Sequence, residues 1–65
     1  MSESQVVRID QLTELLQVSR STIYSWSNSQ SAQYDSTFPK RIHLGLRSVG
    51  WMLKDINIWL ENKRN

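Results

Sequence analysis

The stretch Val18-Ser19-Arg20-Ser21-Thr22-Ile23-Tyr24 decides how the rest of the chain is read. Ser19 is a candidate helix N-cap, a residue whose hydroxyl accepts from a free N–H of the first turn. Val18 then stands at N′ and Ile23 at N4, the pair whose side chains pack together and set the angle at which the chain enters the helix. Thr22 occupies the place where a full capping box has Glu or Gln, so the reciprocal half of that box is missing. The helix so started runs to about Asn28. Ile23 and Trp26, three apart, form its buried stripe, and Arg20, Ser21, Tyr24 and Ser25 lie off the stripe and face outward.

Upstream, the apolar start Val6, Val7 and Ile9 is closed by Asp10, a good N-cap residue. Leu12, Leu15 and Leu16 follow at helical spacing and predict a two-turn helix from about Gln11 to Gln17 with one leucine face. So short a helix does not hold itself together in water, and its leucines must pack on something. Two short helices joined by a tight turn, the second opening with polar residues, match a helix-turn-helix.

Downstream, Ser27 to Thr37 is a polar loop, long for so small a domain, with Tyr34 as its expected packing anchor. Phe38-Pro39 ends it, because the residue before proline is pushed extended. Ile42 and Leu44 then alternate with Arg41 and His43, and Gly45-Leu46 can form a two-residue type II′ turn. In that register Ile42 faces Val49 on the core side, while His43 and Ser48 share the other face. The result is a β-hairpin carrying Lys40, Arg41 and Arg47, a basic wing, with His43 either a surface residue or a phosphate contact. A closing helix from about Met52 to Lys63 places Met52, Ile56, Trp59 and Leu60 on one face, with Leu53 at its margin. Ile58 points nearly opposite and is a candidate protein contact. Lys63 and Arg64 suit the negative helix end.

These elements predict a mainly α fold with a small β-hairpin, a winged helix-turn-helix. One domain spans 1–65: helix-turn-helix about 10–28, polar loop 27–37, wing about 40–51 and closing helix about 52–63. A chain of 65 residues and 7.7 kDa has a core but not a deep one. No cysteine and a single histidine leave no thiolate metal site, no cysteine nucleophile and no nucleophile–base–orienter set. An enzyme, a metal and a cofactor are therefore not expected. No apolar run approaches the roughly 18 residues of a membrane span, so a soluble, cytoplasmic protein is expected.

The net charge of +2 is unevenly spread. Residues 1–19 set Arg8 against Glu3, Asp10 and Glu14, a balance of −2. Residues 20–47 set Arg20, Lys40, Arg41 and Arg47 against Asp35, a balance of +3. Arginine at the first helical position is unfavourable against the positive end of the helix dipole. Free N–H groups, the Ser21 and Thr22 hydroxyls and the Arg20 guanidinium together suit an anion such as a DNA phosphate. Arg20 is the sole arginine of that helix, so arginine-to-guanine readout is limited to it. Modest affinity per monomer follows, and with it an expectation of several copies bound side by side on DNA.

The core stretch from Val18 to Tyr24 resembles the helix-turn-helix of the AlpA-like prophage regulators, themselves similar to excisionases and the MerR group. Tyr34-Asp35, Phe38-Pro39-Lys40, Leu44-Gly45, Arg47-Ser48-Val49-Gly50-Trp51, and Ile56 followed by Trp59-Leu60 resemble the same family's loop, wing and closing helix. The closing helix departs from the family pattern in starting with Met52-Leu53-Lys54. The resemblance implies a sequence-specific binder of double-stranded DNA, of phage or genomic-island origin, that regulates transcription in a bacterial cytoplasm. It implies a second helix in the major groove and a wing along the backbone or minor groove. Arg20, Ser21, Thr22, Tyr24 and Ser25 are then the recognition-helix positions, and Lys40, Arg41 and Arg47 the wing positions. Two alternatives stay open: an excisionase-type directionality factor that bends attachment-site DNA, and a protein-interaction module that inhibits a regulator or integrase through Ile58.

Overall fold

The computed structural model describes residues 5–64; residues 1–4 and 65, which the expected domain of 1–65 includes, lie outside the described residues. The element order is β1 (Val6–Val7), α1 (Ile9–Leu16), α2 (Arg20–Ser27), β2 (Ile42–His43), β3 (Val49–Met52) and α3 (Leu53–Arg64). The β-branched pair Val6-Val7 pairs antiparallel with β3, Val6 opposite Met52 and Val7 opposite Trp51. The Leu53 N–H extends the pairing by donating to the Gln5 carbonyl at 2.9 Å. The wing is thus part of a three-stranded sheet in the order β1-β3-β2, with β3 central. That third strand is absent from the sequence expectation, because two residues show no alternation and their partner lies far along the chain.

Helix α1 starts earlier than expected, with Arg8 as N-cap and Asp10 inside the first turn. The Arg8 N–H is satisfied by Gln11 Oε1 at 2.9 Å, while Asp10 keeps its carboxylate free for a contact outside the helix. The inward stripe is Ile9, Leu12 and Leu16, with Leu12 fully buried. Leu15, expected on that stripe, is 46 % exposed, because the docked face is centred on Ile9, Leu12 and Leu16, at i, i+3 and i+7, and Leu15 lies beyond its edge. Gln17 ends α1 in the left-handed region at φ 59, a conformation that frees the chain to turn within three residues, Gln17 to Ser19. At the start of α2 the Ser19 hydroxyl accepts from the Thr22 N–H at 3.2 Å, as expected of an N-cap.

The core consists of Val7, Leu12, Ile23, Phe38, Trp51, Ile56 and Trp59. Trp26, expected in the buried stripe, is half-buried at its rim, with ring centroids 5.5 Å from Phe38 and 5.3 Å from Trp59. Phe38 meets Trp59 edge-on at 5.0 Å, a geometry that aligns ring edge with ring face. The indole N–H groups of Trp51 and Trp59 find no acceptor among the described residues, so part of the gain from their burial is lost.

Phe38, not Tyr34, anchors the loop: Tyr34 is 43 % exposed and Phe38 is buried. A phenol carries a hydroxyl that favours water, whereas the phenylalanine ring enters the core without an unpartnered polar atom. The loop itself is a run of hydrogen-bonded turns. Asn28 Oδ1 accepts from Gln30 N–H at 3.0 Å, Ser31 Oγ from Gln33 N–H at 3.1 Å, and Asp35 Oδ1 from Thr37 N–H at 2.9 Å. The Asp35 N–H donates to the Trp26 carbonyl at 3.0 Å and ties the loop back to α2.

The wing pairs one residue out of the expected register. Ile42 lies opposite Gly50 and His43 opposite Val49, and the Leu44 N–H donates to the Ser48 carbonyl at 2.7 Å. The turn therefore holds Gly45, Leu46 and Arg47, and Gly45 has no positive φ, which a type II′ turn requires. A slip of one residue exchanges the faces. Ile42 shares a face with Gly50 rather than Val49, and His43 shares one with Val49 rather than Ser48. Opposite Ile42, Gly50 has no room for a side chain: a Cβ there would lie 2.6 Å from Val6 Cγ1, 3.0 Å from the Val7 carbonyl oxygen and 3.3 Å from Leu44 Cδ1.

Met52, expected to open the closing helix, ends β3 instead, because its pairing with Val6 holds it extended. In α3, Ile56 and Trp59 are buried, Leu53 and Leu60 pack against the core, and Ile58 is exposed, as the periodicity predicts.

Candidate nucleic-acid interface

Helix α2 is eight residues long, about 12 Å, and its diameter with side chains, about 10–12 Å, is what a DNA major groove admits. Its stripe of Ile23, with Trp26 at the core's rim, fixes which residues face outward. Arg20, Ser21 and Tyr24 are exposed, whereas Thr22 and Ser25 are half-buried. Thr22 is committed to the cap: its N–H reaches Ser19 Oγ, and the two hydroxyls lie 3.1 Å apart. One of the free N–H groups expected to meet an anion at this helix start is therefore already used inside the protein.

Arg20 is not an unpartnered arginine. Its Nη2 donates to Asp10 Oδ1 of α1, in an ion pair whose side chains are 60 % and 74 % exposed. The wing differs. Lys40, Arg41 and Arg47 are exposed and form no ion pair among the described residues. Arg8 and Lys54 are exposed and unpaired among the described residues as well, but the wing is where three such cations stand together near α2.

Two adjoining hollows join α2 to the wing. One, of about 330 Å³, is bordered by Trp26, Tyr34, Lys40, Arg41 and His43 among others. The second, of about 580 Å³, is lined by Tyr24, Ser27, Asn28, Ser29 and Arg41. Arg41 borders both, facing Tyr24 across the second hollow and standing beside Lys40 at the first. Arg20 at the start of α2 and Arg47 in the wing turn line neither hollow. Ser27, Asn28 and Ser29 were not singled out by the sequence, although the Asn28 turn that curls the backbone toward the groove is a recognisable sequence signal. His43 borders the first hollow from β2.

The loop side of the groove is held from below. Lys63 Nζ lies 3.1 Å from Asp35 Oδ2 and 5.3 Å from the Trp59 ring centroid, so it does more than complement a helix end. The Thr37 hydroxyl bound to Asp35, with help from the Thr37 N–H and Lys63, lowers the Asp35 pKa from 3.8 to about 2. Among the described residues no group of His, Asp or Glu has the arrangement of a metal site, and no helix is long and apolar enough to cross a membrane.

The arrangement suits a rod-like polyanion: a helix of groove dimensions, a basic arm beside it, and hydroxyl and amide groups between. Comparison with known proteins agrees. The sequence pattern of the family described as Prophage CP4-57 regulatory protein (AlpA) matches residues 5–64. The chain is 42 % identical, over 97 % of its length and 94 % of the relative's, to the DNA-binding transcriptional activator AlpA of Escherichia coli (strain K12). Family and relative are both described as regulators. No solved structure matches the chain.

Proposed function

The chain belongs to the prophage AlpA regulatory family, and from that premise we propose that it is a DNA-binding transcriptional activator of mobile-element origin. The observation that carries the proposal is the juxtaposition of α2 with an unpaired basic wing across one groove. In this reading Arg20, Ser21, Tyr24 and Ser25 address base edges in the major groove, with Thr22 holding the helix start in shape. Lys40, Arg41 and Arg47 lie along the phosphates, where unpaired cations add affinity without regard to sequence. Activation is preferred to the directionality-factor alternative because the relative's stated activity is transcriptional activation.

Selection of bound duplexes from a random pool, repeated at two salt concentrations, tests the proposal. One short motif is expected, and Arg20→Ala should weaken binding to it by about 1–3 kcal/mol and relax the preference at one position. A pool that stays random, with binding that merely fades as salt rises, refutes sequence reading. A motif found at attachment sites instead of promoters favours the directionality factor.

A further inference from the structure

We infer that Asp10 is a positioning residue for Arg20: it reserves the guanidinium for a base edge and keeps it from a phosphate. This rests on the DNA-reading function proposed above. Arg20 opens α2 at the positive end of the helix dipole, and the first turn of α2 contains no acidic residue. Its countercharge comes instead from Asp10, ten residues earlier on α1. Both side chains are largely solvent-exposed, so the pair contributes little to holding α1 and α2 together. Its consequence is local and electrostatic. The leading arginine of the recognition helix is neutralised, while the wing cations Lys40, Arg41 and Arg47 have no carboxylate partner among the described residues.

A guanidinium has five N–H donors in a fixed fork. Asp10 Oδ1 takes a donor of Nη2, and the donors that remain are sufficient for bidentate pairing with the O6 and N7 of guanine. Those acceptors are uncharged, so they tolerate a neighbouring carboxylate. A phosphate on the same donors would bring a full negative charge beside Asp10, and the two anions would repel. Asp10 therefore limits the freedom of a long side chain and raises the cost of the non-specific contact. The division of labour follows: unpaired wing cations supply sequence-independent affinity, and the paired helix arginine supplies discrimination.

The test is Asp10→Asn, compared with wild type on the selected motif and on a random duplex by fluorescence anisotropy over a salt series. Asp10→Asn is expected to tighten random-duplex binding by roughly 3- to 10-fold. Its salt slope on random DNA should steepen by about one, as one more cation engages phosphate. The ratio of specific to random affinity falls accordingly. Asp10→Glu should restore most of that ratio. In an Arg20→Ala background, Asp10→Asn should change nothing further. Unchanged slope and ratio, or an equal gain on both duplexes, overturns the inference while leaving DNA reading intact. A wild-type protein without any sequence preference removes the premise and the inference together. Thermal melting of each variant shows that a lost ratio does not come from lost fold.

Discussion

Replacing Gly50 by alanine puts a Cβ 2.6 Å from Val6 Cγ1 and 3.0 Å from the Val7 carbonyl oxygen. Both separations are well inside the ~3.5 Å at which carbon atoms rest against their neighbours. Val6 can turn its side chain, but the Val7 oxygen is backbone, and Val7 is paired with Trp51. Relief therefore requires β1 to move away from the central strand, which loosens the contact of Val7 and Trp51 with the core. Overpacking of this kind costs about 1–3 kcal/mol. In a domain of 65 residues, each kcal/mol moves the melting temperature by roughly 4–8 °C. Gly50→Ala should thus lower it by roughly 4–24 °C. Gly45→Ala is the control. Nothing lies within 4 Å of a Cβ there and the backbone φ is not positive, so the substitution should be neutral or stabilising by up to about 1 kcal/mol. A type II′ turn would instead make Gly45→Ala destabilising, because alanine at positive φ costs about 1–2 kcal/mol. Thermal and urea unfolding followed by tryptophan fluorescence measure both variants. A Gly50→Ala melting temperature within about 2 °C of wild type refutes the close approach of β1 to the central strand, and a Gly45→Ala loss of about 1 kcal/mol or more refutes the observed wing turn.

Acid should expose the loop clasp. The folded pKa of Asp35 lies below its ordinary value of 3.8, held near 2 chiefly by the Thr37 hydroxyl, so its contribution is present above about pH 4 and lost as pH falls through about 2. With the solvent-facing side of the Lys63 pair discounted, that contribution is about 1 kcal/mol. The stability gap between wild type and Asp35→Asn should narrow as pH falls below about 4 and close only below about 2 in urea titrations; a gap that does not change with pH contradicts the clasp. Trp26→Ala should destabilise the protein by about 2–4 kcal/mol and weaken binding to every duplex alike, with Trp26→Phe retaining most of the stability. Calorimetry showing no loss for Trp26→Ala would mean that its rings with Phe38 and Trp59 carry no weight.

Where a signal is local, the sequence was sufficient. The cap at Ser19 joins atoms three residues apart, and Ile56, Trp59 and Leu60 repeat at the helical period, so both helices were placed within one or two residues. Leu15 and Tyr34 were misplaced for a shared reason. Hydrophobicity says that a side chain can be buried, whereas the docking of α1 on Ile9, Leu12 and Leu16 and the fit of Phe38 among Trp26, Trp51 and Trp59 determine which one is. Of the candidate site, the outward residues of α2 and the wing cations could be named in advance. The groove that unites Tyr24 with Arg41, and the Asp10 that neutralises Arg20, could not.

By itself the sequence determined the helix-turn-helix corner, the apolar face of the closing helix and a basic arm between them. Their hydrogen bonds and periodicities are satisfied within a few residues of chain. Only the tertiary structure decided the register of the wing, the third strand at Val6-Val7 and the partner of Arg20. Each of these depends on atoms brought together from distant positions. At Gly50, the space left by an absent side chain is filled by Val6 and Leu44, which reach it from a different strand and from the wing.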